Sequence, residues 1–326
     1  MRPTTLDAAT LEKLISAAVA APSIHNTQPW RYRLDPDTST LEVRAAPERG
    51  LRHTDPLGRA LHVSVGAALF NLRVAVAHFG WEPVVRLLPH PGEPELLASV
   101  RLAGPAGTSH HRPDLYDVLW RRHTSRFPFS GRHLPPMLLA ELTEAAHAEG
   151  ATLTLPDHEE TMRLLRVTAA AERRNSEDPG RRAETRNWIR EGASDGLTGA
   201  ALGPQDATGR LPVRDFSGVR PANGLPMATF EGRPLIAVLT TAHDRRADWL
   251  RAGQALEQIL LVATARSARA SLLHQALEWP DLRGALHSAL HGHREAPAHV
   301  QMLIRLGYGP AGPATPRRPA RELRED

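Results

Sequence analysis

The chain of 326 residues contains no cysteine. This absence excludes a disulfide framework, a thiolate metal site and a thiol nucleophile, and it fits a cytoplasmic location, which we predict. The sequence also has no run of 18 or more consecutive apolar residues, the length that a membrane-spanning helix needs. Asp7 and Glu12 interrupt any basic-then-apolar export leader. We therefore expect neither export nor a membrane partner.

Lysine is almost absent, because Lys13 is the only one in the chain. The formal net charge of +4 comes from 40 basic and 36 acidic residues, and the basic ones are interspersed among acidic ones. A nucleic-acid binder needs basic residues concentrated on one face or stripe. The charge pattern therefore predicts no nucleic-acid partner. A single lysine at position 13 also excludes the lysine-containing phosphate loop of nucleotide hydrolases.

The periodicity predicts alternating helices and short strands in an α+β arrangement. The first helix has Leu11, Leu14, Ile15, Ala18 and Val19 on one face. The other predicted helices lie near 58–79, 113–122, 136–149 and 247–270, and the strands near 31–34, 41–44, 84–88, 97–102, 234–239 and 300–306. Residues 103–107 have the composition of a linker, and residues 172–233 are either partly disordered or a segment that covers a site. A weak repeat pairs Gly66-Ala67-Ala68-Leu69 with Gly253-Gln254-Ala255-Leu256.

The most polar connection in the chain is Ala21–Trp30, which joins the first helix to the first strand. It carries five hydrogen-bonding side chains, Ser23, His25, Asn26, Thr27 and Gln28, between two prolines. A turn needs one or two such residues, so this number favours a loop that holds a polar ligand.

Arginine is concentrated at two further places. Arg121–Arg126 combines three guanidinium groups with an imidazole and two hydroxyls, a set suited to a phosphate monoester. A solvated basic helix end is the alternative reading. Arg317 and Arg318 lie between two prolines and could equally be part of a loose basic tail. His287 and His291 have metal-ligand spacing, and His293 lies close by. However, no Glu follows the first histidine as a zincin requires and no carboxylate or Cys completes the set, so a solvated histidine face is favoured.

Together these segments resemble a known family. Ala21–Trp30 resembles the A-P-S-x-x-N-x-Q-P-W segment of flavin-dependent nitroreductases, and Arg122-His123-Thr124, followed by Arg126, resembles their R-x-S/T phosphate-binding opening. Gly307-Tyr308-Gly309 followed by 315–319 is similar to their C-terminal basic phosphate contact. The order and length are most similar to the Acg-like branch, whose members resemble two nitroreductase units fused in one chain.

The resemblance implies a nitroreductase-like α+β fold, with antiparallel-rich sheets flanked by helices and a pseudo-dimeric duplication in one chain. The implied halves are 1–107 and 108–326, with a lid-like insertion at about 172–233. It also implies one FMN between the halves. The implied contacts are Arg122, His123, Thr124 and Arg126 at the phosphate with Arg317 or Arg318, Ser23 and Asn26 at the flavin, Gln28 in support of the loop, and His274-Gln275 near flavin N5. Ser267 departs from the family, which usually has glycine there, and no counterpart of the family's Asn/Lys pair is identified.

Two functions remain open. The first is hydride transfer from NAD(P)H through FMN to a nitro or quinone acceptor, with small-molecule partners and a monomeric or homodimeric chain; the flavin supplies the redox chemistry. The second is a flavin-sequestering protein with little turnover, because a segment at 172–233 can fold over the flavin in this branch. Trp188 would then either plug the pocket or pack as an ordinary tryptophan.

Overall fold

A computed structural model describes residues 6–105, 112–216, 226–290 and 298–325. Its helices are α1 Ala8–Val19, α2 Arg59–His78, α3 Tyr116–Leu119, α4 Pro136–Ala148, α5 His158–Glu177, α6 Pro179–Asn187, α7 Arg246–Ala265 and α8 Pro280–Leu290. Its strands are β1 Trp30–Asp35, β2 Thr40–Ala45, β3 Trp81–Leu87, β4 Leu96–Pro105, β5 Thr152–Thr154, β6 Gln205–Asp206, β7 Met227–Ala228, β8 Leu235–Thr241, β9 Arg269–Leu273, β10 His299–Gly307 and β11 Arg324–Glu325.

Local sequence explains where the helices begin. The Asp7 side chain accepts a hydrogen bond from Thr10 N (2.8 Å) and caps α1, whose predicted apolar face is buried. Helix α5 begins with a capping box in which Asp157 and Glu160 satisfy each other's backbone N–H groups. These caps satisfy amide groups that the first helical turn leaves without intrahelical partners.

Two larger sheets carry most of the strands. The first has the order β11-β1-β2-β4-β3, antiparallel except for the parallel β1–β11 pair. The second has the order β5-β8-β10-β9 and is antiparallel throughout. A short parallel pair joins β6 and β7. The predicted α+β class with antiparallel-rich sheets is confirmed.

Helices α2 and α7 pack against each other through their glycines. A Cβ atom added to Gly66 would lie 2.2 Å from Leu250 O, and one added to Gly253 would lie 2.1 Å from Val63 O. No side chain fits at such distances, so glycine allows the two helices to approach. The two members of the weak sequence repeat therefore meet in the core, while the duplication itself stays a prediction.

Helix α2 is long and apolar enough to cross a membrane by length and composition, with a mean hydropathy of 1.5. However, 89% of its apolar window is buried inside the protein. It packs on α1 and α7, as expected for a central core helix.

Several predicted boundaries are wrong. The helix predicted at 113–122 is a 3₁₀ turn followed by the four residues of α3. The helix predicted to reach residue 270 ends at Ala265, because Ser267 has a positive φ of 61° and the chain turns into β9. Of the linker predicted at 103–107, residues 103–105 belong to β4, and the rest lies outside the described residues.

The segment 172–233 has more structure than its weak apolar periodicity indicates. It begins with the end of α5 and the whole of α6, and it continues as a mostly irregular chain that includes a 3₁₀ turn and the short strands β6 and β7. Residues 217–225 of this segment lie outside the description. We call residues 172–233 the covering segment; contacts of its described part are given below, and its role as a cover stays a prediction.

Candidate functional site

The Pro22–Pro29 loop is held in an unusual conformation. His25, Asn26 and Gln28 all have positive φ angles, of 48°, 55° and 50°. Non-glycine residues rarely adopt this backbone region, and such strain is found preferentially at functional sites. The Ser23 hydroxyl accepts a hydrogen bond from Gln28 N (2.9 Å), and Ser64 on α2 accepts one from Ile24 N (3.2 Å).

The loop side chains are fixed by distant parts of the chain. Asn26 Nδ2 donates to Gly196 O (2.8 Å) and Pro316 O (2.9 Å), while its Oδ1 accepts from Arg317 Nη1 (3.0 Å). Gln28 Nε2 donates to Ser194 O (3.0 Å). The loop is therefore fastened to both the covering segment and the C-terminal segment.

A cavity with an empty volume of about 920 Å³ opens beside this loop. Its walls come from the loop, α2, the 124–126 segment, α7, β9 with the residue that follows it, β10 and the covering segment. The residues that line it are Pro22, Ser23, Ile24, His25, Arg59, Ala60, Val63, Ser64, Ala67, Thr124, Arg126, Val213, Arg214, Phe216, Leu256, Ser271, Leu272, Leu273, His274 and Met302. A largely apolar cavity with a few charged groups is the usual form of a cofactor or ligand site.

Two histidine rings lie next to each other in the wall of this cavity. The rings of His25 and His274 are 6.2 Å apart in an edge-to-face arrangement. Burial, and then the positive charge of Arg214, lowers the pKa of both histidines well below 6.5, so both imidazoles are neutral at neutral pH. Within the described part of the chain, neither ring nitrogen of His25 has a hydrogen-bond partner. A buried polar group of this kind calls for a ligand or a water.

A second pocket of about 410 Å³ continues the cavity. Both are lined by Pro22, Ser23, Thr124 and Arg126, so the two pockets adjoin each other, and we call them together the cleft. The remaining lining residues of this pocket, which we call the phosphate-end pocket, are Asn26, Arg122, His123, Leu197, Ala201, Pro313, Thr315 and Arg317.

Three guanidinium groups converge on the phosphate-end pocket. Arg122 Nη2 (3.1 Å) and Arg317 Nη2 (3.2 Å) donate to the same carbonyl, Ala20 O. Arg126 Nη1 donates to Ala201 O (2.7 Å). Of the three, only Arg122 has an acidic partner among the residues that the structure describes, since its Nε lies 3.3 Å from Glu257 Oε1.

The electrostatics of this pocket favour an anion. Among the described residues, neither Arg126 nor Arg317 forms an ion pair with a carboxylate. Burial, with a like charge nearby, lowers the pKa of Arg126 to about 10 and that of Arg317 to about 9. Both remain cationic at neutral pH, so the pocket keeps roughly two uncompensated positive charges. A phosphate monoester carries nearly two negative charges at neutral pH, so its charge is complementary to that of the pocket.

The covering segment forms one wall of the cleft. Val213, Arg214 and Phe216 line the main cavity, and Leu197 and Ala201 line the phosphate-end pocket. The segment is therefore part of the site rather than a distant loop.

A buried carboxylate holds this segment at two points. Glu278 Oε2 accepts from Arg181 Nη1 (3.0 Å) on α6, and Glu278 Oε1 pairs closely with Arg214. Asn175 Nδ2 also donates to Oε2 (3.0 Å). Burial raises the pKa of Glu278 to about 7, and the charges of Arg214 and Arg181 oppose that rise. Through Arg181 and Arg214, this network ties two parts of the covering segment to the turn after β9.

Most of the predicted site residues lie together in the cleft. Ser23, Asn26, Arg122, His123, Thr124, Arg126 and Arg317 line the phosphate-end pocket, although they come from three separate parts of the chain. Their proximity is a structural finding, and their roles as flavin contacts stay predictions.

Three predicted residues lie outside the cleft walls. Gln28 is fully buried, and its Oε1 accepts from Arg318 N (2.9 Å), which supports the loop. The Arg318 side chain faces Glu322 (3.6 Å) and a neighbouring surface pocket. Gln275 Nε2 donates to Pro212 O (2.9 Å), so His274 rather than Gln275 reaches the cavity.

Trp188 does not line the cavity and does not plug it. Its ring lies between Arg49 (5.3 Å) and Arg190 (4.7 Å), measured from each guanidinium carbon to the ring centroid. The packing alternative is therefore the observed one, and Phe216 is the aromatic residue in the cavity wall.

Sequence reasoning missed Arg59, Ser64 and Arg214. Arg59 is buried at the start of α2, where Nη1 donates to Gln301 O (2.9 Å). Arg214 lies in a stretch without periodicity, so nothing local marks it. The only sequence feature that could have identified the two arginines as site residues is that each lies beside an apolar run, and this is a weak indication.

Two glycine spacings in the sequence invite other interpretations that the structure does not support. Gly192-Ala193-Ser194-Asp195-Gly196 has the spacing of a hydrolase nucleophile elbow, but no strand leads into it and no helix continues from it. Gly307-Tyr308-Gly309-Pro310-Ala311-Gly312 has dinucleotide-loop spacing after β10, but the chain continues irregularly rather than as a helix.

No group of three metal-ligating side chains occurs among the described residues. His287 Nδ1 lies 2.7 Å from Ala298 O, and His291 lies outside the described ranges. The fold and the cleft thus define an α+β protein with a cleft that has buried cationic groups at one end.

Comparison with known proteins finds relatives over nearly the whole chain. Rv3131 of Mycobacterium tuberculosis H37Rv, named as a candidate NAD(P)H nitroreductase, is 33% identical over 313 residues, which cover 93% of this chain and 86% of that protein. The acg protein of the same strain, named in the same way, is 31% identical over 306 residues, covering 92% and 89%. A Bacteroides fragilis nitroreductase crystallised with FMN is similar with a TM-score of 0.37 and 13% identity, covering 63% of this chain and 93% of that one.

No family model matches the sequence. The identity to the mycobacterial proteins nevertheless shows that this chain belongs to the nitroreductase family, and it confirms the Acg-like resemblance.

Proposed function

We propose that the protein is an FMN-dependent oxidoreductase that passes hydride from NAD(P)H through the flavin to a nitro or quinone acceptor. The observation that carries this proposal is the cleft, in which an apolar cavity adjoins a pocket that holds two uncompensated guanidinium groups. FMN has the same division, with a flat apolar ring system at one end and a phosphate monoester at the other. Its redox chemistry belongs to the isoalloxazine ring, and the protein supplies position and charge.

The residues divide into two groups under this proposal. Arg126, Thr124 and Arg317 hold the phosphate, with Arg122 and His123 completing the cage, because guanidinium groups and hydroxyls form strong charge-assisted bonds to phosphate oxygens. Ser23 and Asn26 approach the cofactor from the opposite wall. The neutral imidazoles of His25 and His274 line the ring cavity, and each can donate one hydrogen bond and accept another. His274 Nε2 already lies 3.3 Å from Glu278 Oε1, whereas both ring nitrogens of His25 are open to a ligand.

The organisation follows the same proposal. One FMN lies in each chain between the halves 1–107 and 108–326, in a cytoplasmic monomer or homodimer. The C-terminal segment crosses back to the first half, where β11 pairs with β1 and Arg317 bonds to Asn26 (3.0 Å). Both halves therefore contribute walls to the cleft.

A second function is favoured by the covering segment. If this segment stays closed, it prevents nicotinamide from stacking on the flavin, and the protein binds flavin without turnover. The Glu278 network supports a closed wall, because the buried Glu278 carboxylate pairs with both Arg181 and Arg214, which are also buried.

Anaerobic reduction separates the two functions. The purified protein with bound flavin is mixed with NADH or NADPH without oxygen, and the loss of flavin absorbance is followed. Rapid bleaching supports the oxidoreductase. Bleaching by dithionite alone supports the closed flavin-binding protein. A chain that neither contains flavin nor binds added FMN contradicts both.

A further inference from the structure

Glu257 lies on α7 behind the phosphate-end pocket, and it contributes nothing to the walls of the cleft. Its side chain is completely buried, and its carboxylate lies 3.3 Å from Arg122 Nε. Within the described residues, neither carboxylate oxygen forms a hydrogen bond of good geometry. A buried carboxylate without such bonds is costly, so its presence calls for a reason beyond packing.

The groups around Glu257 come from three directions. Arg122 approaches from the segment after α3, Asn71 faces it from α2, and Arg317 of the C-terminal segment adds a more distant positive charge. Burial raises the pKa of Glu257 to about 7, and these three groups oppose the rise. Because of these opposing effects, the Glu257 carboxyl group can gain or lose a proton near neutral pH.

Arg122 connects this carboxylate to the pocket. Its Nε faces Glu257, its Nη2 donates to Ala20 O (3.1 Å), and its guanidinium lines the phosphate-end pocket. The carboxylate can therefore fix the guanidinium plane without touching a ligand. It also supplies the negative charge that a bound phosphate would supply instead.

We propose that Glu257 is a positioning residue that orients Arg122 for a phosphate monoester and takes up one proton from solvent when that phosphate binds. The inference rests on the proposed flavin site and deepens it. Two anionic groups then share the same cationic cluster, and protonation of the buried one removes their repulsion. The step forms one O–H bond on the carboxyl group and transfers no electrons.

The sign of the linkage follows from the proton count. The complex holds more protons than the free protein, so flavin affinity falls as pH rises through the pKa of Glu257 near 7. The phosphate of FMN titrates near pH 6 and acts in the opposite direction, because its dianion binds better. A bell-shaped affinity profile therefore results, and its falling limb belongs to Glu257.

The test compares FMN with riboflavin, which lacks the phosphate. The full-length flavin-free protein is titrated with each flavin between about pH 6 and pH 8.5, and fluorescence quenching gives Kd. We expect the Kd for FMN to rise by up to about tenfold per pH unit above pH 7. The Kd for riboflavin should stay flat. Calorimetry in two buffers of different ionisation enthalpy should show uptake of roughly half to one proton per FMN near pH 7.5.

Two variants separate Glu257 from its neighbours. Glu257→Gln cannot titrate, so it should bind FMN with no falling limb above pH 7. Glu278→Gln is the matched control, since burial also raises the pKa of Glu278 to about 7 but its carboxylate pairs with Arg181 and Arg214 rather than Arg122, and the limb should survive. If Glu257→Gln does not fold, the comparison of FMN with riboflavin on the natural chain decides the question.

The possible outcomes are distinct. An FMN profile that stays flat above pH 7, or that matches riboflavin, overturns the role of Glu257 and leaves the flavin site standing. A limb that disappears with Glu278→Gln assigns the proton to that carboxyl group and also overturns the proposal. If neither flavin binds, the proposed function fails and the inference fails with it.

Discussion

Arg126 provides a sharp test, because the same substitution should strengthen the fold and weaken the site. Its guanidinium is held in the wall of the cleft by one carbonyl, Ala201 O (2.7 Å), and it has no carboxylate partner among the described residues. Arg126→Met keeps a long apolar side chain of similar reach and removes the charge. The flavin-free protein should therefore unfold less readily, while FMN binds less tightly.

The magnitude follows from the pKa of Arg126, which burial lowers from 12.5 to about 10. At pH 7 the guanidinium is charged in both the folded and the unfolded chain. Keeping that charge buried therefore destabilises the folded state by the free energy of the whole pKa shift, roughly 3 kcal/mol. This cost is present below pH 10 and disappears only above it. The lost hydrogen bond to Ala201 O offsets about 1 kcal/mol. The net gain in unfolding free energy is then about 1–2 kcal/mol.

The loss of affinity is estimated from the bonds to phosphate. A hydrogen bond to a charged group contributes about 1.5–3 kcal/mol, which corresponds to a Kd for FMN weakened roughly 10- to 150-fold. Urea unfolding of the flavin-free chain and fluorescence titration with FMN measure the two effects separately. Arg166→Met on α5 is the control, because Arg166 is exposed and should change neither quantity by more than about 0.5 kcal/mol. A less stable Arg126→Met protein that binds FMN with unchanged Kd refutes the reasoning.

Two further predictions concern the core and the covering segment. Gly253→Ala should lower the unfolding free energy by at least about 2 kcal/mol, because its Cβ would lie 2.1 Å from Val63 O. Gly284→Ala on α8 is the control, because a Cβ atom added there would meet no heavy atom within 4 Å, and the variant should be neutral or slightly stabilising. Equal urea midpoints for the two variants would contradict the α2–α7 contact. Glu278→Gln should loosen the covering segment and speed both its limited proteolysis and anaerobic flavin reduction by NADPH. Exposed Glu177→Gln is its control, and identical rates would show that the Glu278 network does not hold the segment closed.

The local sequence was enough to identify those cleft residues that lie close together in short sequence motifs. Ser23 and Asn26 lie in one short loop, and Arg122, Thr124 and Arg126 in another, so their residue types could be identified without the fold. Their meeting in one pocket depended on the family resemblance, because about a hundred residues separate the two motifs.

The remaining residues depend on tertiary contacts that no local pattern reports. Arg214 is paired with a carboxylate 64 residues away in a stretch without periodicity. A glutamate in a helix ordinarily indicates the solvent face, but α7 is buried continuously from Ala252 to Thr264, and Glu257 lies within that stretch against Arg122. The end of α7 was also misjudged, since Ser267 provides a positive φ that sequence periodicity does not predict for serine.

The central claim is that the cleft is a flavin site, and the direct measurement is the flavin content of the purified protein. Acid extraction and chromatography of the natural chain should release FMN at a ratio of about one per polypeptide, and Arg126→Met should release clearly less. A chain that yields no flavin and leaves the fluorescence of added FMN unchanged would contradict the account.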